Sequence, residues 1–269
     1  MKIENCSLKI GWLYPDLMNT YGDRGNIIAL SYRAKIMGID TIINKISVNE
    51  PAESISKMDL LFMGGAQDKQ QEIVNQDLKI KGSFLKKAIN DGVPGLYVCG
   101  AYQFLGKYYK LADGKIIDGI GAFDLYTESS KFGDPRCIGN IVISPNISFL
   151  DNGVLRQAQD DKKNFFVGFE NHGGRTYLTD KKLAFAKVIK GYGNNGEDGT
   201  EGYLFKNSIG TYSHGPILPK NPELTDYLIK KAFEQKYRNV GVGRDRPFKL
   251  KAIDSVWENK AREFVISKL

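Results

Sequence analysis

Gly95-Leu96-Tyr97-Val98-Cys99-Gly100-Ala101-Tyr102-Gln103-Phe104-Leu105-Gly106 is the stretch whose reading decides the fold. A short apolar run ends in a cysteine and glycine follows at once, which predicts a buried strand that breaks sharply into a helix. A thiol at such a break stands at a helix N-terminus, where unpaired backbone N–H groups and the positive dipole end favour thiolate. The plainer reading is a small buried apolar cysteine. Working outward, residues 8–13 read as a strand. The polar turn Asn19-Thr20-Tyr21-Gly22-Asp23-Arg24-Gly25-Asn26 follows, then a helix marked by Ile27, Ile28, Leu30, Ala34 and Met37 and stopped by Gly38. Thr41 to Ile46 and Asp59 to Met63 read as strands, the latter ending in Gly64-Gly65. Asp68 opens a helix that runs to Asn90, with a break expected near Gly82. This alternation predicts an α/β fold with a largely parallel central sheet flanked by helices. In such sheets the chemistry sits at the carboxyl ends of the strands, where both Gly64-Gly65 and Cys99 fall.

The second half is richer in strands, with candidates at Ile138–Ile143, Phe165–Phe169, Leu183–Val188, Tyr203–Phe205 and Ser208–Tyr212. Helices are expected over Pro222–Glu234 and Asp254–Ile266. The polar run 156–163 reads as a surface insertion, and the glycine-rich loop from Gly191 to Gly202 is too acidic to cradle phosphate.

The chain has 269 residues, a net charge of +7, 42% hydrophobic and 26% charged residues, as expected of a soluble globular protein with a substantial core. Its basic residues are dispersed, so the charge reads as solvated surface and no nucleic-acid partner is expected. Cys6, Cys99 and Cys137 are too few and too widely spaced for a disulfide framework or a metal site. A reducing, cytoplasmic compartment follows. The N-terminus has no signal-peptide core, and no apolar run is long enough for a transmembrane segment.

A cysteine nucleophile needs a base that takes its proton and later protonates the leaving group. The chain has two histidines. His214 lies where an extended segment enters a turn, in Gly210-Thr211-Tyr212-Ser213-His214-Gly215-Pro216; His172, in Phe169-Glu170-Asn171-His172-Gly173-Gly174-Arg175-Thr176, is the rival base. Attack on an amide also needs two donors for the oxyanion. Gly65 and Gly100, at the ends of neighbouring strands, are the candidates.

Cys99-Gly100-Ala101-Tyr102-Gln103 is similar to the C-G-G-Y-Q nucleophile elbow of class I glutamine amidotransferases. The stretches 169–176 and 210–215 resemble the F/Y-E-x-H-x-G-x-T and G-T-Y-x-H-G motifs of the CobB/CobQ-like (cobyric acid synthase) branch of that family. Segments 19–26, 132–140 and 214–222 point further to the branch's cell-wall members, the glutaminase subunits of lipid II isoglutaminyl synthases. The resemblance covers residues 8–236 as one flavodoxin-like amidotransferase domain and leaves 237–269 as a C-terminal extension of unassigned role. It implies that Cys99 is the nucleophile, His214 the base and His172 structural. Gly65 and Gly100 form the oxyanion hole, and Gln103 holds the active-site loop or the substrate. Arg136 grips the α-carboxylate of L-glutamine through its guanidinium fork.

Two departures stand out. Ala101 replaces the elbow's second glycine. Pro216 occupies the position two residues after the histidine, where triad-type amidotransferases carry an orienting glutamate. The sequence therefore gives a Cys–His dyad, whose third group is Glu223, Asp226 or, as expected here, a residue of the partner. The chain has no phosphate-binding G-x-x-x-x-G-K-[ST] loop. The resemblance thus implies no cofactor or metal in this chain. ATP and Mg would sit on a MurT-like Mur ligase subunit in a heterodimer, which amidates the D-glutamate of the lipid II stem peptide. Another acceptor, such as a corrinoid precursor, is the alternative, and a non-catalytic binding module that keeps the fold is a second.

Overall fold

Strand by strand, the apolar runs divide their side chains between two faces. The computed structural model describes residues 6–66, 68–130, 134–146, 165–238 and 253–268. In β1 (Ser7–Leu13), β3 (Leu60–Met63) and β4 (Gly95–Val98), successive side chains alternate between two apolar clusters. Leu8, Ile10, Trp12, Leu60, Phe62, Leu96 and Val98 pack on one side against Leu30 and Ala34 of α1 (Arg24–Ile36) and Leu228 and Ala232 of α4 (Pro222–Tyr237). Leu13, Leu61, Met63 and Tyr97 pack on the other side against Val74, Leu78, Leu85 and Ile89 of α2 (Asp68–Asn90). A strand buried on both faces reads as a continuous apolar run, and here that run belongs to a parallel sheet covered by helices on both sides. Truncating one of these leucines to alanine costs on the order of 2–5 kcal/mol.

Among the described residues the central sheet has six strands. Its order is β13 (Tyr203–Phe205), β14 (Ser208–Thr211), β4, β3, β1, β2 (Asp40–Ile46), and all are parallel except the β13–β14 hairpin. Two small four-stranded sheets are added. One runs β10 (Gly174–Leu178), β7 (Leu125–Ser129), β5 (Tyr108–Lys110), β6 (Ile116–Asp118). The other runs β12 (Thr200–Glu201), β11 (Ala186–Lys190), β8 (Cys137–Pro145), β9 (Phe166–His172). The strands over 108–129 carried no periodic signal strong enough to be read from sequence. The break expected at Gly82 is absent: α2 runs unbroken, and the bare Gly82 backbone lets Ile120 pack where a Cβ would collide with it. The strand expected from Leu183 begins at Ala186, because Asp180 caps a short 3-10 turn over Lys181–Leu183 by accepting from the Lys182 N–H.

Within the C-terminal extension, α5 (Val256–Ser267) docks on the domain through ion pairs. Arg262 forks onto Glu223, and Arg33 of α1 joins Asp226 and Glu258. The segments 147–164, containing the expected insertion, and 239–252 lie outside the described residues.

Candidate active site

The break after β4 is abrupt because Cys99 itself makes it. Its backbone sits at φ 53°, ψ −106°, a conformation in which an L side chain is strained by about 1–3 kcal/mol. The N–H of Cys99 donates to Thr211 O (2.8 Å), and its carbonyl accepts from Gln103 N in the first turn of α3 (Gly100–Leu105). The half-buried Cys99 side chain is thus held at the carboxyl edge of the sheet, as the sequence expected of a strand-to-helix elbow.

His214 reaches the same edge from the neighbouring strand. β14 lies beside β4 with Thr211 opposite Val98, so the chain beyond Thr211 passes the end of β4. A two-bond bridge to Phe169 fixes the histidine backbone, with N–H to O distances of 2.7 and 3.1 Å. Its ring is 1% exposed. Nδ1 lies 3.3 Å from Asp23 Oδ1, while Asp23 Oδ2 accepts the Gly65 N–H at 2.7 Å. Tyr21 meets the imidazole edge-on, with ring centroids 5.1 Å apart. Nε2 has no hydrogen-bond partner among the described residues but remains within electrostatic range of the Cys99 sulfur. Burial alone would favour the neutral ring. The facing sulfur and the Asp23 carboxylate outweigh it and raise the His214 pKa to about 10, so the ring is an imidazolium at neutral pH.

Within this chain the carboxylate that meets His214 is Asp23, where Glu223, Asp226 or a residue of the partner was expected. Glu223 and Asp226 are engaged by Arg262 and Arg33 and do not reach His214, whereas Asp23 arrives from the turn before α1. That turn follows β1 at the sheet's carboxyl edge, a cue that was present in the sequence but pointed to no partner 191 residues away. The same bond corrects the place given to Gly65, because its N–H is engaged by Asp23. Its missing side chain matters instead: a Cβ there would collide with His214 Cε1. The next amide, Ala66 N, lies 3.4 Å from where a Cβ on Gly100 would be, which brings the Ala66 backbone up against the elbow.

Gln103 does not face a substrate. It is 4% exposed, and its Nε2 donates to Tyr212 Oη at 3.1 Å. Tyr212 in turn meets Thr176 Oγ1 (2.6 Å) and stacks on His172 at 3.6 Å between centroids. Gln103 therefore ties the helix that follows Cys99 to the segment that carries His214. His172 is buried with Nδ1 on Gly174 O, and burial lowers its pKa, so it stays a neutral structural ring. Arg136 lies at the exposed rim, where its Nε and Nη2 donate to Asn171 and Asn171 donates to Tyr21 Oη. This chain of contacts brings Arg136 to the same mouth as His214 and leaves Nη1 directed near Gly173.

Behind the site sits Glu201, which the sequence reading passed over. One of its carboxyl oxygens accepts from Thr211 Oγ1 (2.5 Å) and Tyr212 N (2.8 Å), and its other oxygen has no partner among the described residues. Burial, reinforced by Glu170, pushes this carboxyl up to about 7. A raised carboxyl pKa means that the folded state holds a proton the unfolded chain has released, so stability falls as pH rises from the unfolded value through about 7. Glu201→Gln keeps the acceptor and removes this titration. The melting temperature of the variant is expected to overtake that of the wild type between pH 5 and pH 8, by an amount equivalent to about 2–3 kcal/mol. Parallel melting curves at both pH values would rule this out.

A parallel-sheet domain with a cysteine elbow facing a buried histidine is the architecture of the class I glutamine amidotransferases. Residues 9–222 match the family model of the CobB/CobQ-like glutamine amidotransferase domain, and the chain belongs to that family. It is 44% identical over 94% of its length to the subunit GatD of the glutamine-hydrolysing lipid II isoglutaminyl synthase of Staphylococcus aureus, and covers 92% of that protein. The corresponding subunit of Streptococcus pneumoniae is 39% identical, with 86% of this chain and 82% of that protein covered. The glutaminase domain of Trypanosoma brucei CTPS superposes with a TM-score of 0.53 over 92% of this chain and 98% of that one. At 12% identity it shares the fold alone.

Proposed function

We propose that this chain is the glutamine-hydrolysing subunit of a lipid II isoglutaminyl synthase. The observation that carries the reading is the meeting of Cys99, His214 and Asp23 at one sheet edge. The two relatives named for the cell-wall reaction favour that acceptor over a corrinoid. In the proposed reaction the Cys99 sulfur attacks the side-chain carboxamide carbon of L-glutamine. The oxyanion that forms accepts from the Gly100 and Ala66 amides. The His214 imidazolium gives its proton to the departing nitrogen, and the C–N bond breaks to release ammonia and leave a thioester. Water then attacks the thioester carbon, His214 takes its proton, and glutamate departs as the C–S bond breaks. Asp23 keeps Nδ1 protonated and Nε2 aimed at the sulfur.

Ammonia free in neutral water is mostly ammonium and no longer a nucleophile, so the product must pass directly to a second site. That site, with ATP and Mg, belongs in this reading to a MurT-like Mur ligase subunit that amidates the D-glutamate of lipid II, in a cytoplasmic heterodimer. No helix among the described residues is long and apolar enough to cross a membrane. Glutamate release from L-glutamine, measured on the chain alone and with the ligase subunit, tests the reading. No release in either condition would overturn it. Arg136→Ala is expected to raise KM for glutamine by about 10–100-fold with little change in kcat, as for the loss of a charge-assisted ligand contact. An unchanged KM would return Arg136 to a role at the rim alone.

A further inference from the structure

On the face away from α2, a groove of about 670 Å3 separates α1 from the edge of the central sheet. Its walls are Ile27, Ile28, Tyr32, Ile43 and Trp12. Ile28 is 58% and Tyr32 61% exposed, one turn apart on α1. Isolated apolar residues on a surface need no explanation, but two adjacent ones beside an apolar-walled groove do.

Three further observations say what the groove fits. First, among the described residues β2 is an edge strand, paired only with β1. Asp40 N donates to Cys6 O, and Ile46 O accepts from Tyr14 N, so the register directs the backbone groups of alternate residues toward β1. The N–H and C=O groups of Thr41, Ile43 and Lys45 therefore point outward, and such an edge is a template for another strand. Second, Trp12 lines the groove at 7% exposure, and its indole N–H, shielded from solvent, has no acceptor among the described residues. A buried donor of this kind is destabilising until it is met. Third, the lining carries exposed Arg24 and Lys35 with Asp40 as its one carboxylate, Lys45 follows along β2 opposite Trp12, and none of the three cations is in an ion pair among the described residues. A second copy would set this cationic rim against itself.

We infer that this groove docks the ligase partner, through an extended segment of aliphatic and acidic residues that adds to β2, fills the space between Ile28, Tyr32 and Ile43, and offers an acceptor to the Trp12 indole. The inference rests on the two-subunit reading above. It also links docking to catalysis. The residue before Arg24, which opens α1, is Asp23, the His214 partner, and the bare Gly25 backbone lies against the Pro216 ring two residues past His214. A strand seated along α1 bears directly on the turn that orients the base.

The test uses the full chain and the separately purified Mur-ligase-like subunit. Ile28→Glu/Tyr32→Glu changes only exposed side chains and is expected to weaken the complex at least about 30-fold, with the melting temperature of the isolated chain unchanged. Trp12→Phe, which deletes the N–H, is expected to weaken it about 5–10-fold. In the wild-type complex, the amides of Thr41, Ile43 and Lys45 should gain protection from hydrogen exchange. Wild-type affinity in both variants with no gained protection would overturn the groove as the docking site and leave the two-subunit reading standing. A wild-type dimer of the isolated chain that the double variant converts to monomer would assign the groove to a second copy and overturn the inference. Failure of the wild-type chain to bind the ligase would overturn the two-subunit reading, and the inference with it.

Discussion

Cys99→Gly is expected to abolish glutamine hydrolysis and to melt above Cys99→Ala. Loss of the nucleophile should reduce kcat by at least about 10⁴-fold, since a catalytic unit without its attacking atom retains only the contribution of binding and the oxyanion donors. The melting comparison isolates a different quantity. Both variants lack the sulfur, but alanine keeps a Cβ at φ 53°, whereas glycine adopts that conformation freely. The relieved strain is about 1–3 kcal/mol less the extra chain entropy that glycine loses on folding, a net of about 1 kcal/mol. For a domain of this size that amounts to about 2–4 °C. The elbow thus trades stability for a nucleophile raised clear of the sheet, as active sites commonly do. An alanine variant that melts higher than the glycine variant would show that the turn is unstrained. A glutamine-analogue electrophile such as diazo-oxo-norleucine should label the wild type at Cys99 and neither variant; a chain that served only as a binding module would not be labelled.

Asp23→Ala is expected to slow glutamine hydrolysis by about 10²–10⁴-fold in the isolated chain and in the complex alike. Three effects combine. The imidazole loses the acceptor that fixes its tautomer and direction, and the Gly65 N–H loses its partner. The His214 cation also loses one of the two charges that raise its pKa to about 10. The sign of the pH effect follows. A histidine whose folded pKa is raised contributes stability that is fully present below its unfolded value and disappears as pH rises through about 10. Removing Asp23 lowers that folded pKa, so the alkaline limb of the kcat profile should move to lower pH and the stability gained from the charged ring should shrink. A wild-type rate in the variant would return the orienting role to a carboxylate of the partner.

Particular residues show what was legible in the sequence. The runs Leu60–Met63 and Gly95–Val98 announced buried parallel strands, because a strand covered on both faces must be apolar at every position. Cys99 followed by glycine announced the break, because only a few backbone conformations turn a strand into a helix without an intervening loop. The strands over 108–129 were not legible: they are short and alternate weakly, and β7 is completed by pairing with residues 174–178, far along the chain, while β5 pairs with β6 and β7. Gln103 was legible as a site residue but not as a strut, since its bond to Tyr212 exists only once β14 lies beside β4.

The sequence by itself determined the α/β alternation and the strand-to-helix elbow at Cys99, and it left His214 and His172 as candidate bases, between which the family resemblance chose His214. The first two follow from local periodicity and from a turn that few residues tolerate. The tertiary structure alone decided that Asp23 meets the histidine, that the Gly65 amide serves Asp23, that Glu201 braces the segment behind the site, and that α1 and β2 leave a groove. These are contacts between segments up to 191 residues apart. Hydrogen bonds and burial depend on where the backbone returns in space, and no spacing along the chain encodes that return.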